Sequence, residues 1–192
     1  MHTNIRIFFS KTGRAKYISH LDLYRAMGRA VKRAQLPVWY TEGFNPHIYM
    51  MFTLPLALGI EGVNESMDLK LTDDIQLNEI TERLNAVMPE GMCINRTAEP
   101  VRKHTEIEKA RYIITGAELD EFFSQKEIII EKKSKRSTTL LDVKPLLSWE
   151  NNTLTLPAGN TLNINPFNVL GDIQPLNIKR TEIICTDGEL FI

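Results

Sequence analysis

Four cations, Arg25, Arg29, Lys32 and Arg33, follow one another at spacings of four, three and one. On a helix they form one stripe, with no acid after Asp22 to interrupt it. Such a stripe is either the wet side of an amphipathic helix or a surface for phosphate groups. A few residues on comes Gly43-Phe44-Asn45-Pro46-His47, a tight turn holding an aromatic and a histidine. Gly admits positive φ and Pro fixes its own, so a turn is expected whatever its purpose. Phe44 either stacks on a nucleobase or folds back over the core. His20 and His47 are the candidates for acid–base work on RNA, with no partner arrangement around them in the sequence. His20 and Asp22 are two apart and share no helix face, which argues against a metal site.

These residues need elements to position them. "IRIFFS" places Ile5, Ile7 and Phe9 on one side in period two, a strand. Ser19 reads as an N-cap with Asp22 three residues on, a capping box made with the shorter acid. Leu21, Tyr24, Met27, Val31 and Ala34 recur at helical spacing until Pro37. "VWYTE" and "IYMMFTLPLAL" read as strands around the Gly43–Pro46 turn, and "ESMDLKLT" as a third. Leu77, Ile80, Leu84 and Val87 mark a second helix, and "MCINRTAEPV" a closing strand.

The order β-α-β-β-α-β then recurs as a pattern. It runs through "ARYIIT", "AELDEFFSQK", "EIIIEKK", "TLLDVKPLL" and "NTLTLP", a short helix opened by Asn165–Pro166, and "KRTEIICT". The expected class is α+β, as two tandem ferredoxin-like (split βαβ) units with antiparallel sheets. Residues 1–97 would form the first unit, with the basic first helix, and residues 109–192 the second. Residues 98–108, polar and carrying Pro100, are the expected linker.

In such a unit the first two strands run parallel, so the loops that follow them share an edge. One loop carries Lys11, Arg14 and Lys16, and the other is Gly43–His47. Both are expected to meet at the N-terminus of the first helix, where Ser19, His20 and free backbone N–H groups favour an anion. The expected phosphate- or RNA-binding set is Lys11, Arg14, Lys16, Ser19, His20, Arg25, Arg29, Arg33, Phe44, Asn45 and His47. Lys132, Lys133, Lys135 and Arg136, within 131–138, form either a solvated hairpin tip or a second phosphate contact.

The net charge of −1 hides an uneven distribution. Residues 1–50 hold eight Lys/Arg against two acids, and residues 51–125 hold seven against fourteen. This asymmetry suggests a polyanion-facing end rather than a uniformly basic coat. Cys93 and Cys185 are the two cysteines and lie far apart. That argues against a zinc site, an iron–sulfur cluster or a disulfide scaffold, and fits a reducing compartment. The N-terminal apolar run is too short for a signal-peptide core, and no stretch approaches the ~20 apolar residues of a membrane span. A cytoplasmic location without membrane contact is expected. No P-loop, G-x-G-x-x-G or H-E-x-x-H is present, so no cofactor is expected.

"FSKTGRAKYISHLDLYRAMGRAVKRAQLPVWYTEGFNPH", with "LPLALGIEG" and "ESMDLKL" after it, resembles the radical SAM-linked protein family. "LLDVKPLL", "NPFNVL" and "IKRTEII" are weaker echoes. The resemblance implies association with a radical SAM enzyme and makes RNA or the ribosome a plausible substrate class. It carries over no catalytic residues. Two cysteines cannot supply the three cluster ligands of a radical SAM enzyme, so the chain is not itself one. The chain departs from the family at Ile48 and Tyr49, where relatives tend to continue with Pro and a basic residue, and at Ser137–Thr139, where a basic run would continue.

Three readings follow. The chain is a non-catalytic module that binds tRNA or ribosomal RNA for a radical SAM partner. Alternatively it is an adaptor docking on that partner without nucleic acid, or an RNA-processing enzyme using His20 or His47.

Overall fold

The computed structural model describes residues 2–133 and 138–192. The chain divides into two compact units, Met1–His104 together with Ile192, and Thr105–Phe191. The cationic stretch read at 131–138 lies largely outside the described residues. The class is mixed α+β with mostly antiparallel sheet. Among the described residues no helix is long and apolar enough to cross a membrane.

The first unit contains β1 (Thr3–Lys11), α1 (His20–Arg33), β2 (Met50–Phe52), β3 (Glu61–Leu71), α2 (Leu77–Asn85) and β4 (Met92–Ala98). β1 pairs antiparallel with β3 and β4, and β2 pairs antiparallel with β3. Alternation along β1 sends Ile5, Ile7 and Phe9 into the core, where Leu23, Met27, Ala30 and Val31 of α1 and Ile80 and Leu84 of α2 meet them. Burial of this apolar set fixes α1 against the sheet and turns the helix's opposite side to water. Leu21, expected on the apolar stripe, is 58% exposed.

Ser19 caps α1 as expected. Its Oγ accepts from the Asp22 N–H at 3.2 Å, and its hydroxyl donates to Asp22 Oδ2 at 2.7 Å. The helix closes at Ala34, followed by Gln35 at φ 52, the left-handed position that stops a helix.

"VWYTE" does not form a continuous strand. Trp39 N–H donates to the Lys70 carbonyl, Val38 bridges Leu71, and Tyr40 bridges Ile48. The chain then leaves the sheet as a hairpin and rejoins it at β2. Of the two strands expected around the turn, the first is reduced to isolated bridges and the second to Met50–Phe52.

The second unit contains β5 (Ile107–Thr115), α3 (Asp120–Ser124), β6 (Ile129–Lys133), β7 (Thr138–Asp142), β8 (Ser148–Glu150), β9 (Thr153–Pro157), α4 (Pro166–Leu170) and β10 (Asn177–Cys185). β5 lies between β10 and β9, and β8 pairs with β9. "EIIIEKK" and "TLLDV", expected in this sheet, pair instead with each other as a separate two-stranded sheet. β8 takes the place beside β9. Asn151 and Asn152, at φ 49 and 60, make the two-residue turn between them. Such turns need positive φ at both central residues, and Asn tolerates it better than most.

Candidate nucleic-acid interface

The two loops expected to converge leave the sheet at different levels. Lys11, at the end of β1, faces Gly62 of β3. The hairpin returns at Met50, which pairs with Leu69 and hence lies in the row of Ile5. Six strand residues separate those rows, about 20 Å. The hairpin holding Gly43–His47 is anchored at the rows near the start of β1, not at its end.

The helix N-terminus is likewise taken. Asp22 is the acid in the first turn, bonded to Ser19 and to Arg25 Nη1 at 3.2 Å. The Ser19 hydroxyl, then Arg25, hold its carboxyl below the ordinary aspartate value. A carboxylate thus already stands in the first turn, beside the position expected to take phosphate. Lys11 is not a surface cation either. It is 1% exposed, and its Nζ donates to the carbonyls of Ile18 at 3.1 Å and Lys16 at 3.4 Å. Arg14 is exposed, and Lys16 Nζ lies 5.4 Å from the Tyr17 ring centre. His20 sets its ring edge-on to Phe52 at 5.2 Å.

What the structure does bring together is the flank of α1 and the hairpin. Tyr24 Oη donates to the Ile48 carbonyl at 3.3 Å. One turn on, a methyl at Gly28 would lie 3.3 Å from Met50 Cε, so a residue without a side chain permits the close approach. A further turn on, Lys32 Nζ lies 6.0 Å from the centre of the Tyr40 ring. Positions 24, 28 and 32 thus face the hairpin. At about 100° per residue, Arg25 stands roughly 60° and Arg29 roughly 100° round from that line, both exposed on the outer side of the helix. Arg33 is turned further round, and its Nη2 donates to the Val87 carbonyl beyond α2 at 2.8 Å. The stripe therefore divides: Lys32 stands beside the hairpin, Arg25 and Arg29 are exposed on the outer side of α1, and Arg33 reaches the segment after α2.

The hairpin holds itself. Thr41 N–H donates to the His47 carbonyl at 2.8 Å, and His47 N–H donates to Thr41 Oγ1 at 3.2 Å. His47 Nδ1 lies 3.0 Å from Thr41 Oγ1 and 3.2 Å from the Asn45 carbonyl oxygen. A carbonyl can only accept, which favours the tautomer with hydrogen on Nδ1 and the lone pair on Nε2. Gly43 adopts φ 124, a conformation costly to any residue with a Cβ. The result presents Phe44 at the tip, 106% exposed, and Tyr40 at the base, 41% exposed. Phe44 does not fold back over the core.

Tyr40, Thr41 and the placement of Lys32 beside them were missed from sequence. Tyr40 read as a strand residue. The signal was a polar Thr41 and His47 symmetrically flanking a Gly/Asn-Pro turn, the composition of a closed hairpin.

The fold is of mixed α+β class, and it carries exposed cations on α1 and an aromatic-tipped hairpin. Residues 4–166 match the family described as "Uncharacterized protein conserved in bacteria (DUF2344)", and the chain belongs to that family. None of the curated proteins matches it.

Proposed function

We propose that the chain is a non-catalytic RNA-binding module that serves a radical SAM enzyme. The observation that carries the RNA part is the run of exposed cations Arg25, Arg29 and Lys32 on α1, with Lys32 beside the hairpin that exposes Tyr40 and Phe44. Cations along a line supply phosphate contacts, and aromatic faces beside them supply stacking. The partner rests on the resemblance of the Ser19–His47 region to the radical SAM-linked family. The same reading treats each unit as a ferredoxin-like split βαβ. The strand orders β4-β1-β3-β2 and β10-β5-β9-β8 support it, with the β6–β7 hairpin as an insertion in the second.

Binding of nuclease-stripped protein to fluorescent total tRNA and ribosomal RNA fragments at two salt concentrations tests the RNA part. Micromolar or tighter binding with a steep salt slope is expected. Arg25→Glu, Arg29→Glu and Lys32→Glu together should abolish it without unfolding. Arg33→Ala, whose partner is the Val87 carbonyl, should leave affinity and slope unchanged. Undiminished affinity in the triple variant would remove the reading. Co-purification of the nuclease-treated chain with a radical SAM protein tests the partner separately.

A further inference from the structure

Charge and aromaticity are segregated on this surface. The helix flank supplies Arg25, Arg29 and Lys32, whereas the hairpin from Tyr40 to Ile48 holds no Lys or Arg and carries the acid Glu42. A surface for duplex RNA needs cations wherever it touches, because a duplex shows its phosphates outward and keeps its bases stacked inside. An acidic, aromatic-tipped arm suits the opposite case. It repels backbone and offers a ring to an uncovered base.

The arm is also held in place. A fully exposed Phe on a slack loop would collapse onto the nearest apolar surface. Here the Thr41–His47 bonds close the base of the turn and Gly43 sets its bend. Phe44 is thereby displayed at no further ordering cost on binding.

Resting on the RNA reading above, we infer that the site takes an unpaired strand. The α1 flank holds the backbone, one base stacks on Phe44, and Thr41 and His47 act as positioning residues for that ring. Tyr40, beside Lys32, is the second stacking face.

The test uses the full chain and a labelled single-stranded RNA of about a dozen nucleotides. The same strand annealed to its complement is the comparison, and each is titrated at low and moderate salt. The single strand should bind at least about tenfold more tightly than the duplex. Phe44→Ala should weaken single-strand binding roughly five- to a hundredfold and leave duplex affinity and the salt slope unchanged, with Phe44→Trp restoring binding. Thr41→Val should weaken single-strand binding in the same way, again at constant salt slope, and Thr41→Ser should restore it. Equal affinity for both RNAs with no effect of Phe44→Ala would overturn the inference while leaving an RNA-binding protein that reads backbone only. Binding of neither RNA at low salt would overturn both.

Discussion

Lys11 Nζ donates to the Ile18 carbonyl at 3.1 Å, joining the end of β1 to the residue just before the N-cap of α1. The side chain is 1% exposed, and a second carbonyl, that of Lys16, lies at 3.4 Å. A lysine that looks like a loop cation in the sequence is a pin holding the turn Gly13–Tyr17 against the sheet. Its ammonium gives the Ile18 carbonyl a partner, whereas the Lys16 carbonyl also accepts from the Gly59 N–H at 2.9 Å.

Lys11→Met should therefore cost stability rather than RNA affinity. Losing the charge-assisted bond to the Ile18 carbonyl, with the Lys16 carbonyl still bonded to Gly59, costs about 1.5–3 kcal/mol, read from the urea midpoint. The folded variant should bind RNA as the parent does. A stable Lys11→Met chain with weakened, less salt-dependent binding would return this residue to the phosphate-contacting set.

The start of α1 should be acid-sensitive. The Ser19 hydroxyl, and after it Arg25, depress the Asp22 carboxyl. A depressed carboxyl stabilises the folded chain above its unfolded pKa, and that contribution is lost as pH falls through the folded value. Protection of the first-turn amides, measured against the intrinsic exchange rate at each pH, should fall as the pH drops below the ordinary aspartate range, and Asp22→Asn should remove that fall. Ser19→Ala should destabilise by about 1 kcal/mol. Identical pH profiles for the parent and Asp22→Asn would show that the carboxyl has no part in the cap.

In the second unit the β8–β9 turn offers a separate check. Asn151 and Asn152 both have positive φ. Asn152→Gly relieves the Cβ of that strain and should raise the denaturation midpoint, by up to about 1 kcal/mol. Asn152→Val should lower it by about 1–2 kcal/mol. Unchanged midpoints in both variants would contradict a left-handed turn at this position.

The local elements were legible because short-range chemistry sets them. Ile5, Ile7 and Phe9 in period two make a strand in any context that buries one face. Ser19 with Asp22 caps a helix through atoms three residues apart. Gly43 and Pro46 dictate a turn. The mixed α+β class follows from the order of such pieces. Pairing partners do not, because register depends on which apolar face finds which. The sequence could not say that β6 would choose β7 over the sheet, and the β8 strand with its Asn151–Asn152 turn into β9 was not read from it.

The same division runs through the surface. That α1 would carry a cationic stripe was fixed by spacing alone. What each cation meets was decided by tertiary packing: the segment after α2 supplies a carbonyl to Arg33, the turn at Gly13–Tyr17 encloses Lys11 of β1, and the hairpin brings Tyr40 to Lys32. Spacing fixes the direction in which a side chain leaves its own helix or strand. Only tertiary packing, by bringing distant carbonyls and rings within a few ångströms, determines whether it meets protein or water.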